Sequence, residues 1–443
     1  MCKKLTDQGL SVKVIEAAPD MGGTWYWNRY PGALSDTRSY FYRYSWDLED
    51  LREYPWKREF LKQPEILAYL RHVVDRHDLR KYMQSKTQVQ RAIYDDVDNL
   101  LTVSLSAGPR LTARYIVTAV GLLSKINYPG IPGLKTFEGE MYHTGNRPAS
   151  YDFTGKRVGV IGNGSTGVQL VTALADQNVK QLLSFQRHPQ YVVPAGDAEE
   201  QVWGEVRNSV LGFGFEESSK PTFSVSEEER ERIFEDAWAK DEEANKAAAE
   251  FICRKIRQMF NRPNVDVVNI GTNPITRLLN KGIRTADGSE YELDILIIAT
   301  GFDAVDGNYK RMHIQGVLGK TLKDRWKQEP SSFLGTCIPG FPILFTVLGP
   351  NGPFTNIPRL FEIQVEFISD MISHARKVAA AKSAVNGSCV EVDTTELQAW
   401  MRQCDEASAN SLFRKTPSWI FGANVAGKRP SVLFYFGGLA TYR

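Results

Sequence analysis

The sequence predicts an α/β fold with two Rossmann-like, dinucleotide-binding domains, of which the first is discontinuous along the chain. A glycine-rich turn lies between a buried strand and a helix within residues 156–175, and this context makes the turn credible as part of a nucleotide-binding unit. A second strand, Ser11–Glu16, ends in a carboxylate, where such units carry an acid that binds ribose. The apolar run Leu293–Ala299 is typical of a buried parallel strand.

A length of 443 residues suits two domains of ordinary size. The domain boundaries are expected near residues 130 and 290. Residues 1–130 and 291–443 are predicted to form the discontinuous domain, and residues 131–290 the other. A charged helical pattern that begins at Ser226 predicts a helical insertion at about residues 196–260 of this second domain.

The composition excludes several classes of function. A net charge of +2 gives no electrostatic footprint for nucleic acid or an anionic membrane. The five cysteines form no CxxC pair and the six histidines show no ligand spacing, so neither a disulfide framework nor a metal site is expected. The N-terminus lacks the apolar run of a signal peptide, and we therefore expect a cytoplasmic protein that does not bind a membrane.

The glycine turn is suited to holding a pyrophosphate at the start of a helix. Its first glycine permits a tight turn, the second lets phosphate approach the backbone, and the third lets helix and strand pack closely. The predicted ligand-binding residues of this turn are Gly162, Asn163, Gly164, Ser165, Thr166 and Gly167. The next strand ends in Gln186 and Arg187, and an arginine there favours NADPH over NADH because it accommodates a 2′-phosphate. A purely structural turn and an ordinary surface arginine are the alternatives.

Glu16 occupies the position of the ribose-binding acid in the first domain. That assignment implies a glycine loop about 20 residues earlier. Met1 is only 15 residues away, so we expect this loop and the first strand to precede the given chain. Because a central strand of such a sheet is buried on both faces, we expect the native product to be longer.

Five ordered motifs resemble those of one enzyme family, the Baeyer–Villiger monooxygenases. They are Gly22–Asp36, Phe137–Pro148, Ala299–Asp303, Gly349–Pro353 and Trp419–Asn424. The second motif matches the family's linker between the domains, except that Arg147 stands in place of a tryptophan. The Leu-Ser-Asp-Thr form of residues 34–37 resembles fungal members that act in secondary metabolism.

The resemblance implies that the discontinuous domain binds FAD and that the second domain binds NADPH. In this family NADPH reduces the flavin, and oxygen from O2 is then inserted next to a ketone carbonyl to give an ester or lactone. The implied substrate is a ketone, with polyketide or terpenoid intermediates as the expected type.

The resemblance also carries roles to particular residues. Asp36 matches the active-site aspartate that orients the family's catalytic arginine, and a turn-capping aspartate is the alternative. Arg38 is expected either to pair with Asp36 or to act near the flavin. His143 matches the linker histidine that couples domain motion to catalysis, and a packed linker histidine is the alternative. The residues implied at the FAD site are Glu16, Gly23, Thr24, Trp25, Asp36, Tyr42 and Val89, and Trp419 is implied near the NADPH nicotinamide.

Part of the family's pattern is expected to be missing from the middle of the chain. The family carries a Lys-Arg pair shortly before the segment that matches residues 260–265, and its arginine is the catalytic one. Here residues 251–257 lead almost directly into Phe260, with Arg254 or Arg257 as possible substitutes. Two alternative functions therefore stay open: a flavin monooxygenase that oxidises nitrogen or sulfur, and a flavin-free remnant that binds a metabolite or a partner.

Overall fold

The computed structural model describes residues 1–56, 58–146, 151–188, 263–383, 389–409, 414 and 418–443. The predicted helical insertion at about 196–260 lies outside the described residues. The same holds for Arg147, Arg254 and Arg257.

The described strands are short and are numbered here in chain order. They are β1 (Val14–Ile15), β2 (Met83–Gln84), β3 (Val89–Asp95), β4 (Leu100–Leu105), β5 (Leu111–Ala113), β6 (Ile116–Thr118), β7 (Glu140–His143), β8 (Arg157–Ile161), β9 (Gln181–Gln186), β10 (Val265–Asn269), β11 (Ile275–Leu279), β12 (Gly282–Thr285), β13 (Glu290–Glu292), β14 (Ile295–Ile298), β15 (His313–Gln315), β16 (Leu344–Thr346), β17 (Gly352–Pro353) and β18 (Phe434–Tyr435).

The described helices are numbered in the same way. They are α1 (Cys2–Asp7), α2 (Thr24–Trp27), α3 (Leu48–Glu53), α4 (Gln63–Arg76), α5 (Ser165–Ala175), α6 (Leu322–Arg325), α7 (Ile357–Ala381), α8 (Thr394–Ala409) and α9 (Leu439–Tyr442). Among these helices, none combines the length and the apolar character needed to span a lipid bilayer.

A five-stranded parallel sheet forms the centre of the second domain, in the order β10-β9-β8-β14-β7. Helix α5 packs on it through the buried side chains Leu170, Val171 and Leu174, which contact Val158 and Val160 of β8. The strand–turn–helix–strand unit predicted from the sequence is therefore present, and it places the glycine turn at the carboxyl end of β8.

The predicted boundary at residue 290 is wrong, because β14 lies between β8 and β7 in this sheet. The second domain's sheet therefore extends to Ile298. The apolar run Leu293–Ala299 identified a buried strand, but a run buried on both faces carries no signal for which sheet it joins.

The first domain is assembled from both ends of the chain, as predicted. Strand β6 pairs in parallel with β16, and β3 pairs in parallel with β15, so residues on either side of the second domain share sheets. Strand β1, which ends just before Glu16, pairs in parallel with β2.

Helix α4 shows how local sequence defines an element of the first domain. Pro64 stands in its first turn, where its missing N–H leaves no helical hydrogen bond unmade. The Glu65 carboxylate accepts the backbone N–H of Lys62 at 2.9 Å and caps the start. Ile66 and Tyr69 are buried on one face, which fixes the helix beneath the loop that carries Asp36.

Candidate functional site

The glycine turn has the geometry that a dinucleotide-binding loop requires. Gly162 has φ +106°, and a Cβ there would lie 2.5 Å from the carbonyl oxygen of Ala299. A Cβ on Gly167 would lie 2.1 Å from the carbonyl oxygen of Gly162, so helix α5 can pack against the turn only with glycine at this position. A Cβ on Gly164 would meet no atom within 4 Å. The open space at Gly164 is therefore where an anion can approach the backbone.

The N-terminus of α5 adds to the anion-binding character of this turn. Gly164 is its N-cap, and no side chain there accepts a hydrogen bond from the first turn of the helix. The exposed ends of backbone N–H groups at a helix start favour a negatively charged ligand.

The turn is tied to the end of the neighbouring strand β9. The Asn163 amide donates to Gln186 Oε1 at 3.3 Å and to the carbonyl oxygen of His188 at 2.6 Å. Arg187 follows Gln186 and is exposed. The structure thus brings the predicted pyrophosphate and 2′-phosphate residues to the same edge of the sheet.

Glu16 lies at the carboxyl end of β1 and is half-buried. Burial raises the pKa of its carboxyl group, and the backbone N–H groups of Ala18 and Ala17 act in the opposite direction. The N–H of Ala18 donates to Glu16 Oε1 at 2.7 Å, which fixes the direction of the carboxylate. Val89, predicted near the adenine, opens strand β3.

The first half of the Gly22–Asp36 motif forms a close-packed turn and the short helix α2. Gly22 has φ +125°, and a Cβ there would lie 2.4 Å from Leu67 Cδ1, so α4 approaches this turn closely. Gly23, at φ +49°, is the N-cap of α2, which begins at Thr24. The indole N–H of Trp25 donates to the Tyr42 hydroxyl at 3.0 Å, and the two rings meet edge to face. Trp25 and Tyr42, which are both predicted to lie near the flavin, are therefore in contact.

Asp36 is exposed and lies near two tyrosines of this motif region. Burial is the main reason that the pKa values of Tyr30 and Tyr42 are raised, and the negative charge of Asp36 adds to the effect in both. Arg38 forms a salt bridge with Glu59, from Nε to Oε1 at 2.8 Å, and donates to the Tyr40 hydroxyl at 2.6 Å. These contacts direct the guanidinium toward Glu59, and a catalytic role for Arg38 stays a prediction.

The second half of the motif docks on helix α5, which the sequence did not predict. The Tyr30 hydroxyl donates to Gln169 Oε1 at 2.8 Å, and the Gln169 side chain pairs with both the N–H and the carbonyl oxygen of Leu34. A Cβ on Gly32 would lie 2.5 Å from the carbonyl oxygen of Gln169. Asp36 is thereby held beside the helix whose N-terminus carries the glycine turn.

His143 is fully buried at the end of β7. Its ring lies between Tyr128 and Phe302, with centroids 5.5 Å from each, and its Nδ1 accepts the N–H of Gly145 at 3.1 Å. Burial lowers the pKa of the imidazole to about 4, while the backbone of Gly301 opposes the shift. The residue is therefore a packed, neutral histidine at neutral pH, and its coupling role stays a prediction.

Trp419 lies in a short 3-10 turn, Trp419–Phe421, and is 39% exposed. Its ring meets Phe434 edge to face, and Phe434 in turn contacts Phe354. Trp419, Phe434 and Phe354 thus form an aromatic wall, which the sequence did not predict. The aromatic run at 434–436 is visible in the sequence, but its spacing does not show that it faces Trp419.

Comparisons with known proteins identify relatives of this chain. The family model for flavin-binding monooxygenase-like proteins matches residues 2–203. The phenazine N-monooxygenase PhzNO1 of Lysobacter antibioticus is 42% identical, with 100% of this chain and 91% of the relative covered. A Baeyer–Villiger monooxygenase of Pseudooceanicola batsensis is 43% identical, with 100% and 90% covered. The crystal structure of cyclohexanone monooxygenase from Rhodococcus sp. Phi1 bound to NADP+ matches with a TM-score of 0.87 and 45% identity, covering 100% of this chain and 93% of that one.

Proposed function

This chain belongs to the Baeyer–Villiger monooxygenase family of flavin-binding monooxygenases, and we propose on that basis that it oxidises a compact cyclic ketone to a lactone with FAD, NADPH and O2. Within the described residues, the contact of the Tyr30–Asp36 loop with helix α5 carries this proposal. It holds Asp36 beside a dinucleotide-binding helix, and Asp36 in turn lies near the Trp25–Tyr42 pair, which is the arrangement needed to bring two cofactors together.

The residues present fit NADPH. The Gly164 position leaves room for a pyrophosphate at the start of α5, and Arg187 stands at the end of β9 to neutralise a 2′-phosphate. The Asn163–Gln186 hydrogen bond holds these two positions in register.

The residues present also fit part of an FAD molecule. Glu16 ends β1 with a directed carboxylate that can accept ribose hydroxyls, and the Trp25–Tyr42 pair offers a rigid aromatic edge for a planar ring. The cofactors would supply the redox chemistry, namely hydride transfer and oxygen activation.

The protein's own contribution is positioning and electrostatics. Asp36, exposed beside Tyr30 and Tyr42, holds a negative charge where it can orient a cation or the carboxamide of a cofactor. Trp419 and its aromatic neighbours supply an apolar wall that excludes water from a ketone.

The catalytic arginine is proposed to be missing from an internally shortened chain. The alignment with PhzNO1 extends over 502 positions, although this chain has 443 residues, so the relative carries residues inside the aligned region without a counterpart here. The segment before Phe260 is where the sequence predicts such a gap.

The substrate class is proposed from the relatives with the higher identities. Both relatives named above are bacterial, and the solved structure named above is a cyclohexanone monooxygenase. This favours a compact cyclic ketone over the polyketide or terpenoid predicted from residues 34–37, which remains an outcome of a substrate screen.

N-oxidation is the second candidate function, because PhzNO1 is a phenazine N-monooxygenase at 42% identity. An aromatic nitrogen heterocycle would use the same wall around Trp419.

We also propose a reducing, cytoplasmic location, supported by the free cysteines Cys2, Cys337, Cys389 and Cys404.

The experiment that tests the function starts from the purified chain and its visible absorption spectrum. We expect a flavin band, NADPH oxidation that depends on cyclohexanone, and a lactone that contains one 18O atom when the reaction is run under 18O2. An N-oxide from phenazine without any lactone would establish the second candidate. A folded protein that cannot be reconstituted with FAD would establish the flavin-free alternative.

A further inference from the structure

Two buried carboxylates that follow strand β14 form the centre of a cluster of charged side chains. Asp303 accepts Lys125 Nζ at 2.9 Å, Lys310 Nζ at 3.2 Å and Lys428 Nζ at 3.0 Å. Asp306 pairs with Lys310 at 2.9 Å and also with Lys428. Both carboxylates are 5% exposed and Lys428 is 10% exposed, whereas the side chains of Lys125 and Lys310 are 30% and 42% exposed. The ion pairs of Lys428 are therefore the best shielded from solvent and from salt.

The cluster joins three segments that are far apart in the chain. Lys125 follows β6, the two aspartates and Lys310 follow β14, and Lys428 comes from the C-terminal segment that carries Trp419. Neutral hydrogen bonds reinforce the junction: Asn424 donates to the carbonyl oxygen of Phe302 at 2.8 Å, and Asn127 donates to that of Asn424 at 2.9 Å.

The Lys428 side chain reaches the carboxylates by crossing the turn that holds Trp419. Gly422 ends this turn with φ +75°, and a Cβ there would lie only 3.0 Å from Lys428 Cε. The backbone closes the same turn, since the N–H of Gly422 donates to the carbonyl oxygen of Trp419 at 2.9 Å. Lys428 is 10% exposed, so its aliphatic stem lies against the turn and its ammonium is held on the far side.

We propose that Lys428 is a positioning residue that anchors the Trp419 turn to Asp303 and Asp306, and thereby places Trp419 at the bound nicotinamide nucleotide. The part that concerns the nucleotide rests on the proposed function, whereas the anchoring concerns only the chain itself. Lys310 binds the same two carboxylates from a different segment, so the two lysines separate anchoring of the turn from stability of the cluster.

The test compares Lys428→Met with the matched control Lys310→Met. Methionine keeps an apolar stem and removes the charge, while the remaining lysines still neutralise the carboxylates, so both variants are expected to fold. Cleavage by chymotrypsin after Trp419 and Phe421 is measured in the cofactor-free protein, and the Kd for NADP+ is measured by calorimetry. A third variant, Gly422→Ala, displaces the same turn and leaves every charge in place.

We expect Lys428→Met and Gly422→Ala to raise both the cleavage rate and the NADP+ Kd by about tenfold or more. Lys428→Met removes hydrogen bonds to charged groups, and Gly422→Ala places a Cβ against the Lys428 stem at a positive φ. Lys310→Met should change each by less than about twofold, since its side chain is partly exposed and outside the turn. Equal effects of the two lysine variants, or wild-type cleavage in Lys428→Met, would overturn the anchoring role.

The two proposals can fail separately. If the wild type does not bind NADP+ while cleavage follows the expected pattern, the proposed function fails and the anchoring stands. If the wild type binds NADP+ and Lys428→Met binds it equally well, the placement of Trp419 at the nucleotide is refuted.

Discussion

At the residue scale, the glycines of the nucleotide turn divide into two kinds. Gly162 and Gly167 are required by the fold, because a Cβ on either would meet backbone carbonyl atoms. Gly164 has open space around it and a φ of −67°, which any residue adopts. A glycine that the fold does not need indicates that a ligand needs it.

Gly167→Ala should therefore affect stability, and Gly164→Ala should affect NADP+ binding. Gly167→Ala should lower the free energy of unfolding by about 1–3 kcal/mol, since helix and turn must separate. Gly164→Ala should change it by less than about 1 kcal/mol and raise the NADP+ Kd at least tenfold. Urea denaturation and calorimetry measure the two quantities, and wild-type NADP+ affinity in Gly164→Ala would show that phosphate does not bind there.

His143 gives a second prediction at this scale, for the dependence of stability on pH. Its pKa is lowered from 6.5 to about 4, so between these values the unfolded chain binds a proton that the folded chain does not. Stability is then full above pH 6.5 and falls by up to roughly 3 kcal/mol as the pH is lowered to 4.

His143→Leu should remove this component of the unfolding free energy, as measured by urea denaturation at a series of pH values. His313→Leu is the matched control, because His313 is an exposed histidine. If the unfolding free energy of His143→Leu falls between pH 6.5 and 4 as steeply as that of the wild type, then burial of the His143 imidazole does not cause this fall.

At the element scale, the contact between the Tyr30–Asp36 loop and α5 joins the two domains. Gln169 pairs with both backbone groups of Leu34, and Gly32 lets the loop approach the helix closely. An element that carries the active-site aspartate is thus positioned by an element that carries the nucleotide turn.

Gly32→Ala should loosen this contact, and Gly9→Ala is its control. The two glycines have similar φ values, +77° and +73°, so each substitution strains the backbone by about 1–2 kcal/mol. Only the Gly32 Cβ collides with α5, whereas nothing lies within 4 Å of Gly9. Stopped-flow flavin reduction by NADPH should slow at least tenfold in Gly32→Ala alone, and equal rates in the two variants would argue against interdomain positioning.

At the scale of the whole molecule, the fold depends on contacts between parts that are distant in sequence. Strand β6 pairs with β16, and β14 completes a sheet begun by β7 and β8. The Asp303 cluster also links the segments that follow β6 and β14 to the C-terminal segment that carries Lys428. Burial would raise the pKa of Asp303, but the hydrogen bonds from Lys125 and Lys428 outweigh it and bring the pKa to about 2.

Asp303→Asn should lower the free energy of unfolding by about 3–5 kcal/mol, because three lysines would then face a single carboxylate. Asp7→Asn breaks an exposed Lys3–Asp7 pair and should change it by less than about 1 kcal/mol. Both are measured by urea denaturation at pH 7. Similar losses in the two variants would mean that the buried cluster contributes no more than a surface pair.

The sequence by itself determined the parts of this protein that depend on neighbours along the chain. The strand–turn–helix around Gly162–Gly167, the strand before Glu16 and the start of α4 at Gln63 all follow from local patterns, and the ordered motifs indicated the family. These features can be predicted from sequence because periodicity, glycine spacing and capping act over a few residues.

Only the tertiary structure decided which distant residues meet. It placed β14 in the second domain's sheet, set Gln169 against Leu34, paired Arg38 with Glu59 and brought Lys428 to Asp303. No sequence pattern identifies the partners of a buried apolar run such as β14, of a glutamine such as Gln169, or of single charged residues such as Arg38 and Lys428. Packing selects those partners when the chain folds, because buried polar and charged groups are stable only where a partner is in reach.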